Sequence, residues 1–327
     1  MNRSTGAAFL AVIVVVGVLL GCGGKIDPPG ELYKEPRLSV YLYAGEYKGF
    51  EGASWLGVTG GRLYATFPDS GEVVAFNSRA EVATDVEFAG ATRPYLLGVG
   101  TYEIVVADSA DTAVTINAYS IGGGEPLWAV IDTEWVEIGG LAVDEDEITY
   151  VSDARRNFIR AYDRDGNLMF GEDLADSGFG LGHVLGPHGI FIEEDTLYIA
   201  EAHPEKAQVQ RISVSEPQTG IPFSDERPFL STFIDTLGIE LPLIEPIAVC
   251  VNFSGQIFVL DAAYGVIIEY NRDGTTEAIV TAPTSGGPSP LGDVNSIGPY
   301  GLRIYVLEPP DGVVHRWDKG GGGTPQP

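Results

Sequence analysis

The stretch Gly140-Leu141-Ala142-Val143-Asp144, continued by Tyr150-Val151-Ser152-Asp153 and by Arg160-Ala161-Tyr162-Asp163-Arg164-Asp165-Gly166, decides how this chain folds. It holds a short apolar run, a polar turn, a run of apolar-aromatic-apolar-small-acidic form, a second turn and a run closed by an aromatic. Alternation with a period of two marks strands with one face turned inward. The middle run recurs as Leu63-Tyr64-Ala65-Thr66-Phe67, Ile104-Val105-Val106-Ala107-Asp108, Leu197-Tyr198-Ile199-Ala200-Glu201, Ile257-Phe258-Val259-Leu260-Asp261 and Ile304-Tyr305-Val306-Leu307-Glu308. The closing positions are 41, 45, 48, 60 and 47 residues apart. Self-similarity on that scale is the signature of a repeat architecture.

A second marker keeps the same register. The aromatic of the third run follows nine residues later at Phe76, Tyr162, Tyr270 and Trp317, and Tyr119 and Ile212 follow eleven later. A unit of this length accommodates about four strands, as a propeller blade does, whereas leucine-rich repeats run to only about 20–29 residues. The repeat centred on Tyr150 resembles the NHL repeat, and the resemblance extends from about Glu51 to Trp317. It implies an all-β fold, a six-bladed β-propeller, with repeats near 52–88, 93–131, 138–171, 186–233, 245–280 and 298–318. The last repeat lacks an outer strand, and Arg37-Leu38-Ser39-Val40-Tyr41-Leu42-Tyr43 alternates without a repeat of its own. Strand 37–43 is therefore expected to close the last blade, making 37–319 one domain.

Composition agrees with many strands and turns. Of 327 residues, 43 are Gly, 21 are Pro and only two are Met. The net charge of −27 repels phosphate backbones, so nucleic-acid binding is excluded.

The N-terminus is read separately. Arg3 precedes a run without ionisable groups from Thr5 to Leu20, too short to span the roughly 30 Å of hydrocarbon that takes about 20 residues. It reads as an export signal, residues 1–21. Leu19-Leu20-Gly21-Cys22 resembles the lipobox of bacterial lipoproteins, which implies acyl chains on Cys22 and a membrane as partner. Gly23, in place of Asp, implies passage to the outer membrane of a diderm bacterium, facing periplasm or surface. Residues 22–36 read as the lipidated cysteine and tether, and the glycine-rich 320–327 as a disordered tail. The other cysteine, Cys250, lies in an apolar strand and reads as core.

Candidate chemistry gathers at one mouth of the channel. First strands begin, and second strands end, on the same face, which puts Ser54, Tyr95, Gly139, His188, Ile247 and Tyr300 near the axis. Around them stand Asp108, Asp153, Glu201, Asp261 and Glu308. These carboxylates either accept backbone N–H groups at strand ends or form a site for a divalent cation such as calcium. His183, His188 and His203 are three of the four histidines, and His188 and His203 are the candidate general bases. The resemblance reaches the propeller lyase acting on amidated peptide precursors, whose zinc-binding histidines come from several blades. Here only His188 stands at such a position. Asp163 to Asn167 and Asn271 to Thr275 read as hairpin turns, and the apolar segment Ile234 to Glu245 as a lid or contact on the mouth side. Two functions follow: an envelope binding or scaffold module for a protein, peptide or glycan, or a metal-assisted hydrolase or lyase of lactonase or esterase type.

Overall fold

The computed structural model describes residues 41–319, apart from 78, 80, 84–85, 111–112, 133, 171–172, 282–290, 293 and 301–302. The signal segment, Cys22, the tether, residues 37–40 of the expected closing strand and the 320–327 tail lie outside the described residues.

The described chain is almost wholly antiparallel strand. It opens with β1 (Tyr41–Lys48), followed by β2 (Trp55–Thr59), β3 (Arg62–Phe67) and β4 (Glu72–Phe76) in one sheet. The next sheet holds β5 (Pro94–Val99), β6 (Glu103–Ala110), β7 (Ala113–Ser120) and β8 (Trp128–Asp132). Then come β9 (Ile138–Val143), β10 (Thr149–Asp153) and β11 (Phe158–Tyr162), and after them β12 (Pro187–Glu193), β13 (Thr196–His203) and β14 (Lys206–Ser213). A two-stranded hairpin, β15 (Thr232–Ile234) with β16 (Glu240–Pro242), precedes the sheet of β17 (Pro246–Val251), β18 (Ile257–Asp261), β19 (Val266–Tyr270) and β20 (Thr276–Val280). The last sheet is β21 (Ser296–Tyr300), β22 (Arg303–Glu308) and β23 (Val313–Lys319), with β1 on its edge.

The sheets stack because both faces of their middle strands are apolar. Tyr150, Val151 and Ser152 of β10 are all buried, as are Phe258, Val259 and Leu260 of β18. Ala142, Tyr150 and Ile159 of one sheet pack with Ile190, Ile199 and Ile212 of the next, and the same interleaving repeats along the chain. Cys250 belongs to this core, beside Leu260 and Ile304, and burial pushes its thiol pKa upward, which keeps it inert.

The first strands of successive sheets lie against one another: β2 on β5, β5 on β9, β9 on β12, β12 on β17, β17 on β21, and β21 back on β2. Close approach explains a glycine at the same level of most of them. A Cβ on Gly189 would stand 2.5 Å from Ala248 Cα, and one on Gly140 would stand 2.4 Å from the His188 carbonyl oxygen. Gly189→Ala is expected to cost about 1–3 kcal/mol of overpacking, read as a lower denaturant midpoint at unchanged slope.

The first and last described strands meet in the last sheet. Tyr41 pairs with Lys319, Tyr43 with Trp317 and Lys48 with Val313, with an irregularity between Tyr43 and Gly45. The paired strand thus runs past the expected limit at Tyr43 to Lys48. Arg316 donates to the Tyr47 hydroxyl at 2.9 Å, and Tyr47 stacks on Tyr305.

Both Asp-Gly hairpins form. The amides of Asp165 and Asn167 donate to Asp163 Oδ1 at 3.0 and 2.8 Å, and Gly166 and Gly274 take φ of 79° and 81°, the region glycine enters freely.

Candidate functional site

Each sheet has an end where its first strand begins and its second strand finishes; this is the mouth end, and the turn between the two strands marks the far end. Pro94 pairs with Asp108, Ile138 with Asp153, Pro187 with Glu201 and Pro246 with Asp261, so each carboxylate ends its strand beside the start of the first strand. An irregularity follows each of these pairs and re-aims the next residue. Those next residues are Tyr95, Gly139, His188 and Ile247, all partly exposed.

The carboxylates are engaged by backbone. Asp108 accepts the amides of Thr92 at 2.5 Å and Arg93 at 2.9 Å, and the Thr92 hydroxyl at 2.7 Å. Asp153 accepts Val136 at 2.7 Å and Glu137 at 3.5 Å on one oxygen, with Arg155 at 3.0 Å and Arg156 at 2.8 Å on the other. Asp261 accepts Ile244 at 2.8 Å and Glu245 at 3.3 Å on one oxygen, and Tyr264 at 3.3 Å on the other. Each one ties the segment leading into the first strand to the end of the second. Both oxygens of Asp153 and of Asp261 already accept backbone amides, so this donor set does not suit a cation, which would need those lone pairs. Among the described residues, no group of three or more His, Cys, Asp or Glu is arranged to hold a metal ion.

Glu201 does the same work through a different partner set. Its Oε1 accepts the Leu185 amide at 2.7 Å and lies 3.0 Å from Lys206 Nζ, while Oε2 accepts Gln208 Nε2 at 2.7 Å. Lys206 also donates to the Gly178 and His183 carbonyls at 3.0 and 2.7 Å. Burial raises the Glu201 pKa to about 6, against the pull of Lys206. A raised carboxyl pKa stabilises the fold below the unfolded value, and that contribution is lost as pH rises through about 6. Glu201→Gln is expected to flatten the stability difference between pH 5 and 7 by about 1 kcal/mol, measured by urea unfolding of both proteins. Glu308 differs again: it is only partly buried and bonds His315 Nε2 at 2.8 Å.

Ser54 Oγ donates to the Tyr95 carbonyl at 2.9 Å and lies 2.9 Å from Thr66 Oγ1. The Asn295 side-chain amide donates to the Ser54 carbonyl, and Ser296 Oγ accepts the Leu56 amide at 3.2 Å. These bonds lace the mouth ends of β21, β2 and β5 together. Asn295 Oδ1 is buried without a protein partner.

His188 is half-buried at the start of β12. Desolvation lowers its pKa, against the charges of Glu137 and Glu245 from the segments on either side. Its neutral imidazole therefore predominates at neutral pH. Tyr95, the corresponding residue of β5, has its hydroxyl pKa raised by burial and by Asp153. His203 ends β13, its Nδ1 accepting the Glu205 amide of its own hairpin at 3.2 Å. His183 pairs with Asp176 at 2.5 Å.

Two expectations need correction. Tyr300 is not at the mouth: it pairs with Arg303, the first residue of β22, and so lies at the far end, while Ser296 pairs with Leu307 beside Glu308. Because β21 pairs with β22 without a break in register, Asn295 and Ser296 take the mouth position. The apolar segment Ile234 to Glu245 also does not lie wholly on the mouth side. The Ile234 amide donates to the Thr276 hydroxyl at 3.0 Å, and Thr276 pairs with Tyr270, which pairs with Ile257 at the far end. Only its last residues, Ile244 and Glu245, reach the mouth through Asp261.

At the far end lies a cavity of about 510 Å³, lined in part by Thr59, Asp144, Glu145, Glu193, Glu194 and Phe253. The first strands enclose a smaller one of about 90 Å³ beside Gly57, Gly98 and Gly298. The far-end lining joins the far ends of the first strands, Val58, Val99, Val143 and Val251 among them, to turn residues such as Asp144, Glu145 and Glu194 that vary from sheet to sheet.

No family model matches the sequence, and no characterised protein matches it at sequence level. Solved structures do match its fold. A streptogramin B lyase is 13% identical with a TM-score of 0.55, covering 84% of this chain and 97% of its own. The gluconolactonase of Xanthomonas campestris is 13% identical with a TM-score of 0.56, covering 83% and 87%. A chain of the nidogen/laminin complex is 16% identical with a TM-score of 0.52, covering 70% and 80%. Identity this low carries the architecture alone, a β-propeller.

Proposed function

We propose that the chain is an envelope lipoprotein, held to the outer membrane by acyl chains on Cys22, whose body is a six-bladed β-propeller serving as a binding or scaffold module. The cyclic contact of β2, β5, β9, β12, β17 and β21 supports six blades, and β1 on β23 supports closure by the N-terminal strand. Its ligand is a protein, peptide or glycan received at the mouth. The observation that carries this reading is that Asp108, Asp153 and Asp261 spend their lone pairs on backbone amides. They hold the rim rigid, and recognition falls to the groups aimed from it: Tyr95, His188 and the Ser54–Asn295 cluster. Aromatic, imidazole and amide groups on rigid strand ends suit a polar ligand.

The test is binding of the protein lacking residues 1–22 to peptide and glycan arrays. Saturable binding weakened at least tenfold by Tyr95→Ala, in protein that still melts as a folded domain, is the expected result. Capture that ignores Tyr95, His188 and Asn295 substitutions overturns the mouth as its site.

A hydrolase or lyase is the second reading, favoured by one feature, the half-buried neutral His188 at the mouth, a competent general base at neutral pH. The fold is shared with a lyase and a gluconolactonase. Turnover of lactones or esters that disappears in His188→Ala decides for it, and absence of turnover alongside saturable binding decides against it.

A further inference from the structure

We propose that the seam between the sheet of β5 to β8 and the sheet of β9 to β11 holds a hard divalent cation, calcium or magnesium, at its far end, bound by Glu103, Glu147 and Thr149. Val105 and Trp128 of the first sheet pack in one core with Val143, Val151 and Tyr162 of the second. Glu103 stands two residues before Val105 on β6 and so shares its face. Thr149 stands two before Val151 on β10, paired with Val143 and Tyr162. Both therefore face the seam, from opposite sides, and each is the first residue of its strand. Glu147 comes from the turn between β9 and β10 and crosses the gap. Its Oε1 accepts the Tyr102 amide at 3.1 Å, and its Oε2 lies so near Gly100 that a Cβ there would stand 2.9 Å away.

Polar atoms at this place lack partners. Glu103 Oε2, Glu147 Oε2 and Thr149 Oγ1 are each buried without a hydrogen bond, and so is the Trp128 indole nitrogen. Glu103 is only 8% exposed and Thr149 not at all. Native interiors leave few such atoms unpaired, and several that converge from two sheets mark the place of an ion or a water. Charge decides between the two. Glu103 lies in the field of Glu147, and Glu147 in that of Asp144, while no Lys, Arg or His is among the groups acting on either. Burial and these like charges push both carboxyl pKa values upward. A water would leave the repulsion standing, whereas a divalent cation cancels it and takes the three oxygens as ligands. Glu269 is the contrast: its Oε2 is also unpartnered, but Lys319 meets its charge at 2.7 Å. Glu147 is only half-buried, which gives an ion a way in and leaves water to complete its coordination. Bound there, the ion clips one sheet to the next.

The experiment uses the full-length protein in detergent, stripped with a chelator and exchanged into metal-free buffer at neutral pH and fixed ionic strength. Calcium chloride and magnesium chloride are titrated separately by isothermal titration calorimetry, and melting is followed with and without each salt. The expected result is one equivalent bound of at least one of the two ions, with a melting temperature raised by about 5 °C. Affinity falls at least tenfold in Glu103→Gln and in Glu147→Gln, and holds in Glu194→Gln, whose side chain lines the far-end cavity instead. Glu103→Gln removes a buried charge, so without metal it is expected to melt above the metal-free parent. No heat and no rise in melting temperature with either ion overturns the proposal; stability of the metal-free parent that then falls between about pH 5 and 8 would show the two carboxyls sharing a proton. Binding that survives Glu103→Gln and Glu147→Gln but is lost in Glu194→Gln moves the ion to the far-end cavity and overturns the seam as its site.

Discussion

A chain beginning at Gly49 is expected to melt about 10 °C below one beginning at Tyr41, measured by differential scanning calorimetry on the two proteins side by side. β1 pairs with β23 from Tyr41 to Lys48 and carries three tyrosines onto the last sheet and its neighbour. Tyr47 stacks on Tyr305, Tyr43 lies edge-on to Trp317, and Tyr41 meets Phe258. Each is only partly covered, so together they contribute about 3–4 kcal/mol of apolar burial. Ladder hydrogen bonds add about 0.5–1.5 kcal/mol each. Removing the strand also bares the edge of β23, an invitation to pair with another chain. At about 2 °C of melting temperature per kcal/mol for a body of this size, the shift is about 10 °C, with aggregation on heating. Coincident melting curves for the two chains would show that β1 adds nothing to closure.

Asp153→Ala is expected to cost about 3–5 kcal/mol, because the amides of Val136, Arg155 and Arg156 lose their acceptor in a residue with no exposed surface. Asp153→Asn keeps one acceptor oxygen and should recover part of that loss. Glu308→Ala is the contrast: its carboxylate serves one partly exposed histidine, and the cost should stay below about 1 kcal/mol. Urea unfolding of the three variants checks the order. A parent-like midpoint for Asp153→Ala would return this residue to the list of ligand-facing groups.

The repeat could be read from sequence because its middle strand is buried on both faces and so tolerates few residue types. Tyr150, Tyr198 and Phe258 stand at equivalent places for that reason. The Gly298-Pro299-Tyr300 string imitates Gly186-Pro187-His188, and so the sequence points to the wrong start for β21. In the sheet of β12 to β14 the pairing breaks register after Pro187 and leaves His188 out of the ladder; in the last sheet it runs unbroken from Ser296 to Tyr300. Such a break leaves no mark on composition or spacing. Glu201 shows a different limit. Its place in the pattern matches the aspartates, but its longer side chain reaches Lys206 and Gln208, partners that only the hairpin of β13 and β14 brings near. The far-end cavity is not legible because the recurring strand ends Val58, Val99, Val143 and Val251 read as core, while its acidic turn residues Asp144, Glu145 and Glu194 follow no shared pattern.

The partnership of β1 with β23 bears on the order of synthesis. A ribosome delivers β1 before all the sheets that separate it from β23, so that strand has no mate until they have been made. The nascent chain therefore carries that strand unpaired, and the last sheet can assemble only after every sheet between β1 and β23 has been made.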